Sequence, residues 1–255
     1  MRLDAHVHLD LMRDPRRVAR DASSLGLWML ATTVTPADYE SALPLLGSEG
    51  NVRLAVGLHP WWVADGRCGD ADVARAARLA RITRWVGEVG MDLSSHHVPE
   101  GSRDVQRSAF GQVCAAAAEG SDPEAPTVLS IHSVRSAAEC LDVLGETGAL
   151  ERCRCVFHWF SGTSDELHRA VLADCWFSVG LPMLRTRRGR EYARQLPLRR
   201  LLTETDLPAE GQTALSASEV DGEIRQTLEE LSHIRGADVT DAVGQNSREL
   251  LSPIG

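Results

Sequence analysis

Histidines and carboxylates recur in this sequence at the ends of short β-rich runs. His6 and His8 lie two residues apart in MRLDAHVHLD, so an extended strand would turn both rings to one face, with Asp4 placed there to orient His6. Glu88 stands in GEVGMD, at the end of the fourth such run. The other candidates end later runs: His132 in LSIH, His158 in VFHWF, and Asp206 with Glu204 in LLTETD. Burying so many polar groups at corresponding positions costs several kcal/mol unless they bind something.

Imidazole and carboxylate groups without thiolates are typical of sites for divalent ions, with zinc, manganese or iron favoured and magnesium less so. We expect two ions, because paired ions activate water at neutral pH and neutralise phosphate oxygens. His6 and His8 would hold the first ion. His132 and His158 would hold the second.

Glu88 and Asp206 are the predicted catalytic carboxylates. The sequence contains no lysine, so a carboxylated lysine cannot bridge the ions, and all 27 basic residues are arginine. A carboxylate has two oxygens, whereas a neutral imidazole offers one lone pair, so we expect Glu88 to bridge. Strand alternation would turn its side chain inward together with Val86 and Gly90. Asp206 would complete the first ion's ligands and orient the attacking water.

Candidates for substrate contacts lie at two other places. His59 in GLHP ends the third run and could contact a substrate phosphate, with a structural role as the alternative. Arg185, Arg187 and Arg188 open the arginine-rich segment Arg185–Arg200 after the seventh run, and guanidinium groups match phosphate geometry. Pairing with carboxylates is the favoured interpretation for three later arginines: Arg194, Arg199 and Arg200.

The runs and the helical patterns between them predict the elements that position these residues. Predicted strands cover Leu3–His8, Leu27–Thr33, Val52–Leu58, Trp85–Val89, Val128–His132, Cys153–His158, Trp176–Val179 and Leu201–Thr205. Helical patterns include Pro15–Leu25, Ala71–Ile82, Val105–Glu119, Ala137–Leu144, Glu166–Leu172 and Ser218–Ser232. This alternation favours parallel βαβ units closed into a (β/α)8 TIM barrel, one domain over residues 1–255, with an open doubly wound sheet as the alternative. In a barrel the carboxyl ends of the strands share one rim, where the candidates would converge.

Composition excludes several classes of protein. Hydrophobic residues make up 43% and charged residues 25% of the 255, as in folded domains and not in disordered chains. No apolar run reaches the ~20 residues of a membrane span, and the first residues lack a signal-peptide core, so we expect a cytoplasmic protein without membrane contact. The net charge of −9 argues against non-specific coating of nucleic acid. The six cysteines lack a C-x-x-C pair and are expected to be free, buried thiols, and His96 and His97 are expected at the surface.

Taken together, the motifs resemble those of the TatD-type metal-dependent deoxyribonucleases. The matching segments are DAHVHLD (Asp4–Asp10), GLHP (Gly57–Pro60), GEVGMD (Gly87–Asp92), Gln106 with Phe110, Ile131–His132, HWFSG (His158–Gly162), ETDLP (Glu204–Pro208) and Gln245–Asn246. The resemblance implies a barrel, hydrolysis of DNA and a metal cluster at the six histidines and carboxylates proposed above as metal ligands. It also implies that Glu204 helps to hold a third ion in some relatives.

A narrower likeness concerns three segments, HWFSGTSDEL, CWFSVGLPML and LTETDLP. They are similar to QatD, the TatD-like nuclease subunit of Qat anti-phage defence systems, which implies other Qat proteins as partners. Leu207 and the segment Asp92–Arg103 depart from the family's usual pattern, and both bear on substrate preference.

Three functions follow as expectations. The leading one is a metal-dependent DNase acting on single strands or ends, because a concave barrel mouth admits a flexible end more easily than an intact duplex. The second is an amidohydrolase-like esterase or amidase acting on a small molecule or aminoacyl-tRNA. The third is a non-catalytic scaffold in a defence complex, against which the complete ligand set argues.

Overall fold

Eight parallel strands alternate with helices around a barrel in the computed structural model, which describes residues 1–253. The strands are β1 (Arg2–Val7), β2 (Leu27–Thr32), β3 (Val52–Leu58), β4 (Trp85–Asp92), β5 (Val128–Val134), β6 (Arg154–His158), β7 (Trp176–Val179) and β8 (Leu201–Thr203). The helices are α1 (Pro15–Ser24), α2 (Pro36–Leu46), α3 (Pro60–Ala64), α4 (Asp70–Ala80), α5 (Arg103–Gly120), α6 (Ala137–Glu146), α7 (Ala149–Arg152), α8 (Ser164–Leu172), α9 (Leu181–Leu184), α10 (Arg187–Gln195), α11 (Ala217–Arg235) and α12 (Thr240–Leu251). The predicted (β/α)8 barrel is confirmed. The predicted domain ends at residue 255, and residues 254 and 255 lie outside the described part.

Parallel pairing runs from each strand to the next, from β1 to β8. The first and last strands meet through backbone hydrogen bonds at their carboxyl ends. The amide of Asp206 donates to the carbonyl of His6 at 2.9 Å, and the amide of His8 donates to the carbonyl of Leu207 at 2.7 Å. These bonds bring together three of the candidate ligands: His6 on β1, His8 directly after it, and Asp206 after β8.

Two strands run farther at their carboxyl ends than the sequence pattern predicts. β4 and β5 continue past Val89 and His132, so Glu88 and His132 lie inside strands and not at their ends. Gly90 stands opposite His132 in the β4–β5 ladder. A Cβ on Gly90 would lie 2.0 Å from the His132 carbonyl oxygen, so this close approach of the two backbones requires glycine.

Strand residues alternate between two apolar layers. The larger layer fills the space between strands and helices, and its bulkiest buried members include Phe157 and Phe177. The smaller layer fills the barrel interior near the amino ends of the strands, where its members are Leu3, Ala5, Leu30, Ala55, Val128, Val156, Trp176 and Leu202, with Leu250 and Leu251 of α12. The barrel interior near the amino ends of the strands is therefore apolar, and the candidate histidines and carboxylates lie toward the carboxyl ends.

Register irregularities in β1 and β4 change this alternation beside the candidate ligands. In β1, Ala5 belongs to the inner layer but Val7 to the outer one, because the pairing with β2 shifts just before Val7. In β4, Val86 and Val89 both belong to the outer layer, and the register shifts between them on both sides. The shift turns Glu88 toward the histidines. The prediction that Val86 shares the face of Glu88 is therefore wrong, since an irregular strand does not keep strict alternation.

Several helices begin after a capping residue that is visible in the sequence. In front of α8, the amide of Glu166 donates to the Thr163 hydroxyl at 3.3 Å, and the amide of Thr163 donates back to the Glu166 carboxylate at 2.6 Å. Within residues 1–253, none of the helices combines the length and apolarity needed to cross a bilayer.

Candidate metal centre

Glu88 lies at the centre of a cluster of histidine rings and is 2% exposed. Its two carboxylate oxygens face different groups of rings. The contacts of Oε1 are Nδ1 of His132 at 2.6 Å, Nε2 of His158 at 3.0 Å and Nε2 of His59 at 3.3 Å. The contacts of Oε2 are Nε2 of His8 at 3.2 Å and Nε2 of His6 at 3.4 Å. One oxygen therefore serves the β1 pair and the other serves the residues from β5, β6 and the end of β3.

Asp206 completes the group around the two β1 histidines. Its Oδ1 lies 3.7 Å from Nε2 of His6 and 3.6 Å from Nε2 of His8. Its side chain is 28% exposed, far more than that of either ring. Asp206 thus sits at the open side of the cluster, where a water molecule or substrate can reach its carboxylate.

The rings of His6 and His8, at the carboxyl end of β1, are oriented from behind by residues of two other strands. Nδ1 of His6 lies 2.8 Å from the hydroxyl of Ser130 on β5, and Nδ1 of His8 lies 3.2 Å from the carbonyl of Thr32 on β2. A carbonyl can only accept, so Nδ1 of His8 carries a proton and Nε2 is the nitrogen that faces Glu88 and the cluster. The prediction that Asp4 orients the His6 ring is wrong. Asp4 instead accepts hydrogen bonds from Thr205 and from the His6 backbone, because its carboxylate turns toward β8.

Asp92 plays an orienting role that the sequence pattern did not predict. Its Oδ2 lies 3.3 Å from Nε2 of His132, on the side of the ring opposite Glu88. Gln106 on α5 fixes the Asp92 backbone by accepting its amide hydrogen bond and donating to its carbonyl, both at 2.8 Å. Burial raises the pKa of Asp92, but hydrogen bonds from His132, Ser94 and other donors outweigh burial and hold the pKa below its usual range.

Glu204 stands behind His158. Its Oε1 accepts a hydrogen bond from the Trp159 amide at 3.0 Å and lies 3.9 Å from Nδ1 of His158, while Oε2 accepts from the Ser178 hydroxyl. Burial raises the pKa of Glu204 above its usual range. The structure thus places Glu204 behind the ring that would bind metal.

A backbone hydrogen bond fixes the tautomer of His59. Its Nδ1 accepts a hydrogen bond from the Trp61 amide at 3.2 Å, so the neutral ring carries its proton on Nε2. That Nε2 points at Oε1 of Glu88. His59 is therefore set up to donate a hydrogen bond, which suits a contact with a carboxylate or a phosphate better than metal ligation.

Burial and mutual charge set the ionisation of the cluster. Burial alone raises the pKa of Glu88, but His59, His158 and His6 outweigh it and hold the pKa well below its usual range. Burial, with help from His158, lowers the pKa of His6 to about 4. Burial also lowers the pKa of His8, but the bond to Glu88 outweighs it and raises the pKa to about 9. A bound cation would take the place of the proton between His8 and Glu88.

The donor set fits divalent ions. Nε2 of His6 is buried and makes no hydrogen bond within residues 1–253, a costly arrangement unless the lone pair has another partner. Three groups of residues could each hold an ion, because one ligand atom from every residue of the group lies within 4.8 Å of the others. The groups are His6–His8–Asp206, His6–Glu88–His158 and His59–Glu88–His132. All six predicted metal-binding side chains belong to these groups.

The arginine segment divides into paired and exposed residues. The interpretation that its later arginines form ion pairs is confirmed, with contacts from Arg194 to Glu191 at 2.6 Å and from Arg199 and Arg200 to Asp174 at 2.8 and 2.6 Å. Arg185, Arg187 and Arg188 are exposed between α9 and the first turn of α10, which follow the carboxyl end of β7. They stay candidates for contacts with substrate.

The six cysteines are free, and all but Cys153 are buried. The prediction of free thiols is confirmed, and Cys153 is partly exposed just before β6. His96 and His97 are exposed, as predicted, but His97 contacts the site through Trp61 and Asp92.

An eight-stranded parallel barrel that gathers imidazoles and carboxylates at its carboxyl rim is the arrangement of metal-dependent hydrolases. Within that class, the chain belongs to the TatD-related DNase family, whose model matches residues 3–252.

Curated relatives agree with this assignment, and a solved structure shares the fold. The uncharacterized metal-dependent hydrolase YcfH of Escherichia coli K12 is 30% identical over 219 residues, covering 81% of this chain and 77% of YcfH. Deoxyribonuclease TATDN3 of Homo sapiens is 25% identical over 267 residues, covering 98% and 93%. The alignment with the uncharacterized metal-dependent hydrolase YabD of Bacillus subtilis is 26% identical over 171 residues and covers 66% of this chain and 63% of YabD. The crystal structure of YJJV, a TatD homolog from Escherichia coli K12, has the same fold, with a TM-score of 0.77, 20% identity and coverage of 98% and 97%.

Proposed function

We propose that this chain is a divalent-metal-dependent deoxyribonuclease that hydrolyses phosphodiester bonds of DNA. The observation that carries the proposal is that the two carboxylate oxygens of Glu88 face separate sets of histidine nitrogens at 2.6–3.4 Å. Such a carboxylate is suited to lie between two cations. Membership of the TatD-related DNase family and the similarity to deoxyribonuclease TATDN3 support DNA as the substrate.

The proposal assigns ligands to two ions, magnesium, manganese or zinc. His6, His8 and Asp206 would hold the first, His132 and His158 the second, and Glu88 would contact both. Bound there, divalent ions would lower the pKa of a water molecule and offset the negative charge of a phosphodiester. A third ion would need Glu204, which lies behind His158.

The chain's own residues would divide the remaining work. Asp206, the most exposed carboxylate of the cluster, would orient the attacking water and accept its proton. When substrate binds, the Nε2–H of His59 would turn from Glu88 and donate a hydrogen bond to a phosphate oxygen. Arg185, Arg187 and Arg188 would bind the flanking backbone phosphates.

Single strands and free ends are the proposed substrates. The five histidine residues around Glu88 and Glu88 itself are each at most 9% exposed, so the scissile phosphate has to enter a recess in the rim. A flexible strand or end can bring one phosphate into such a recess, whereas an intact duplex would have to open first.

Metal analysis combined with cleavage assays tests the proposal. Purified protein should release labelled fragments from single-stranded DNA faster than from blunt duplex, and a chelator should abolish cleavage until metal is returned. The same preparations should be tried on p-nitrophenyl esters, amides and aminoacyl-tRNA, the substrates of the alternative hydrolase. Ester or amide turnover without DNA cleavage would replace the proposal by that alternative.

We also propose that the chain works in the cytoplasm as the nuclease component of a Qat-type anti-phage defence system, with other Qat proteins as partners. The similarity of three segments to QatD supports this, and it is an analogy. Deleting the gene from its native cluster should abolish phage resistance, and a metal-site variant such as His158→Ala should fail to restore it. Resistance that survives deletion would count against the role.

A further inference from the structure

We propose that Trp61 and His97 form a stacking platform for one unpaired nucleobase beside the candidate metal centre. The proposal rests on the proposed DNase function and names the part of the substrate that the rim would recognise. Neither residue belongs to the proposed metal ligands.

The two rings already lie against each other. Trp61 is on α3, two residues after His59, and its ring stacks on His97 with centroids 4.4 Å apart and planes at 27°. His97 comes from the loop after β4, and its side chain is 48% exposed. An aromatic surface open to solvent therefore projects from two separate segments of the rim.

The platform adjoins the cluster directly. The Trp61 ring stands edge-on to His59, with centroids 4.9 Å apart, and to His132, with centroids 6.1 Å apart. A nucleotide whose phosphate lies among the metal-site residues would thus have its base within reach of these rings.

The Trp61 ring is held in place before any ligand arrives. The indole N–H of Trp61 donates to Oδ2 of Asp92 at 2.7 Å, and Asp92 is fully buried. Trp62 lies nearly parallel to Trp61, at 5°, with the Arg67 guanidinium 3.8 Å over its ring. A pre-oriented ring loses little conformational freedom on binding, which favours affinity.

Stacking on aromatic side chains suits unpaired bases because every base has a π-face and a paired base is already stacked in its duplex. The platform would therefore add a preference for bases over bare backbone, and for single strands over duplexes. Loss of one such contact lowers affinity by about 10-fold or more.

Two fluorescein-labelled octamers separate base recognition from backbone recognition: octathymidylate and an octamer of abasic tetrahydrofuran units with the same charge. Binding is measured by anisotropy with chelator present, and cleavage rates are measured with metal. Wild-type protein should bind octathymidylate about 10-fold or more tightly than the abasic octamer. Trp61→Ala and His97→Ala should each remove most of that difference, whereas Trp61→Phe, which keeps a ring, should restore much of it. His96→Ala, at the exposed neighbouring position, should behave as wild type.

The outcomes distinguish the two proposals. Equal wild-type affinity for both octamers, or an unchanged preference in both alanine variants, would overturn the platform even if DNA is cleaved. The same loss of affinity for both octamers would also overturn it, since that indicates general damage. A base preference that depends on Trp61 without any cleavage would support the platform and reject the DNase function. Failure to bind or cleave either octamer would reject both.

Discussion

Nε2 of His132 lies 3.3 Å from Oδ2 of Asp92, while the opposite nitrogen of the same ring lies 2.6 Å from Oε1 of Glu88. The ring is thus held between two carboxylates. Because Asp92 occupies Nε2, only Nδ1 of His132 faces the cluster, whereas His6 and His8 face it through Nε2. Asp92 therefore decides which nitrogen of His132 would meet an ion.

Asp92→Asn should weaken metal binding at the proposed second site by about 10- to 100-fold, the range seen when an orienting partner of a metal-binding histidine is lost. The amide keeps the shape but loses the charge that holds the ring's Nε2 proton. Competition with a chromophoric chelator measures the affinity, with Asp104→Asn, an exposed change on α5, as the control. Equal affinities in Asp92→Asn and wild type would show that Asp92 has only a structural role.

The thiols should react slowly in the folded protein. Burial raises the pKa of Cys68 and Cys153 to about 11 and that of Cys140 and Cys175 to about 12. At pH 8 a thiol with a pKa of about 11 or 12 carries at least about 100-fold less of the reactive thiolate than an ordinary cysteine. Titration with a disulfide reagent at pH 8 should therefore find Cys153, the partly exposed thiol, first. All six should react promptly in denaturant, and rapid reaction of several thiols without denaturant would contradict the burial described.

Much of the barrel was predictable because its signals are local. Parallel strands buried on both faces read as short apolar runs between helical patterns, and the bounds of β3 and β7 match the prediction. The ends of β4 and β5 differ from the prediction. Their last residues include Asp92 and Ser133, which are polar and therefore indicate a loop when only the sequence is considered. Because the predicted strand ends at Val89, the prediction did not place Asp92 beside the site, although Asp92 stands in the same GEVGMD motif as Glu88.

Orientation within the site was less predictable because it depends on partners far apart in the chain. Ser130 and His6 are 124 positions apart in the sequence, and no local pattern predicts the hydrogen bond between them. The inward turn of Glu88 accompanies a register shift in the pairing of β4 with β3 and β5. The adjacent Trp61 and Trp62 after GLHP were a visible signal, but their stacking on His97 is a tertiary contact.

Replacing Arg185, Arg187 and Arg188 together by alanine should weaken binding of single-stranded DNA and flatten its salt dependence. Each phosphate contact contributes about 0.7 to the slope of log K against log salt for single strands, so losing three should reduce the slope by about 2. The control is the double change of Arg194 and Arg199 to alanine, which removes ion-paired arginines of the same segment. The proposal fails if both variants keep the wild-type slope.

Glu88→Gln should fold normally but lose metal from at least one site and nearly all turnover. The amide preserves the shape of the side chain and removes the negative charge and one good ligand oxygen, so contact with two cations is lost. Metal content by mass spectrometry, circular dichroism and DNA cleavage measure the three effects. Glu124→Gln, an exposed change in the turn before β5, serves as the control. Two bound ions and wild-type turnover in Glu88→Gln would show that the bridging ligand lies elsewhere.

Asp206→Asn should retain more metal than Glu88→Gln while losing most of its turnover. Asp206 is the peripheral member of the cluster, with its Oδ1 3.6–3.7 Å from the β1 ring nitrogens, whereas Glu88 contacts five rings. Its amide can still offer an oxygen to an ion but cannot accept a proton from water, so the loss should fall on kcat and leave KM close to wild type. Steady-state cleavage rates, taken on preparations with matched metal content, separate the two parameters. A variant that loses metal as completely as Glu88→Gln would make Asp206 chiefly a ligand, and a variant with wild-type kcat would assign the handling of water to another residue.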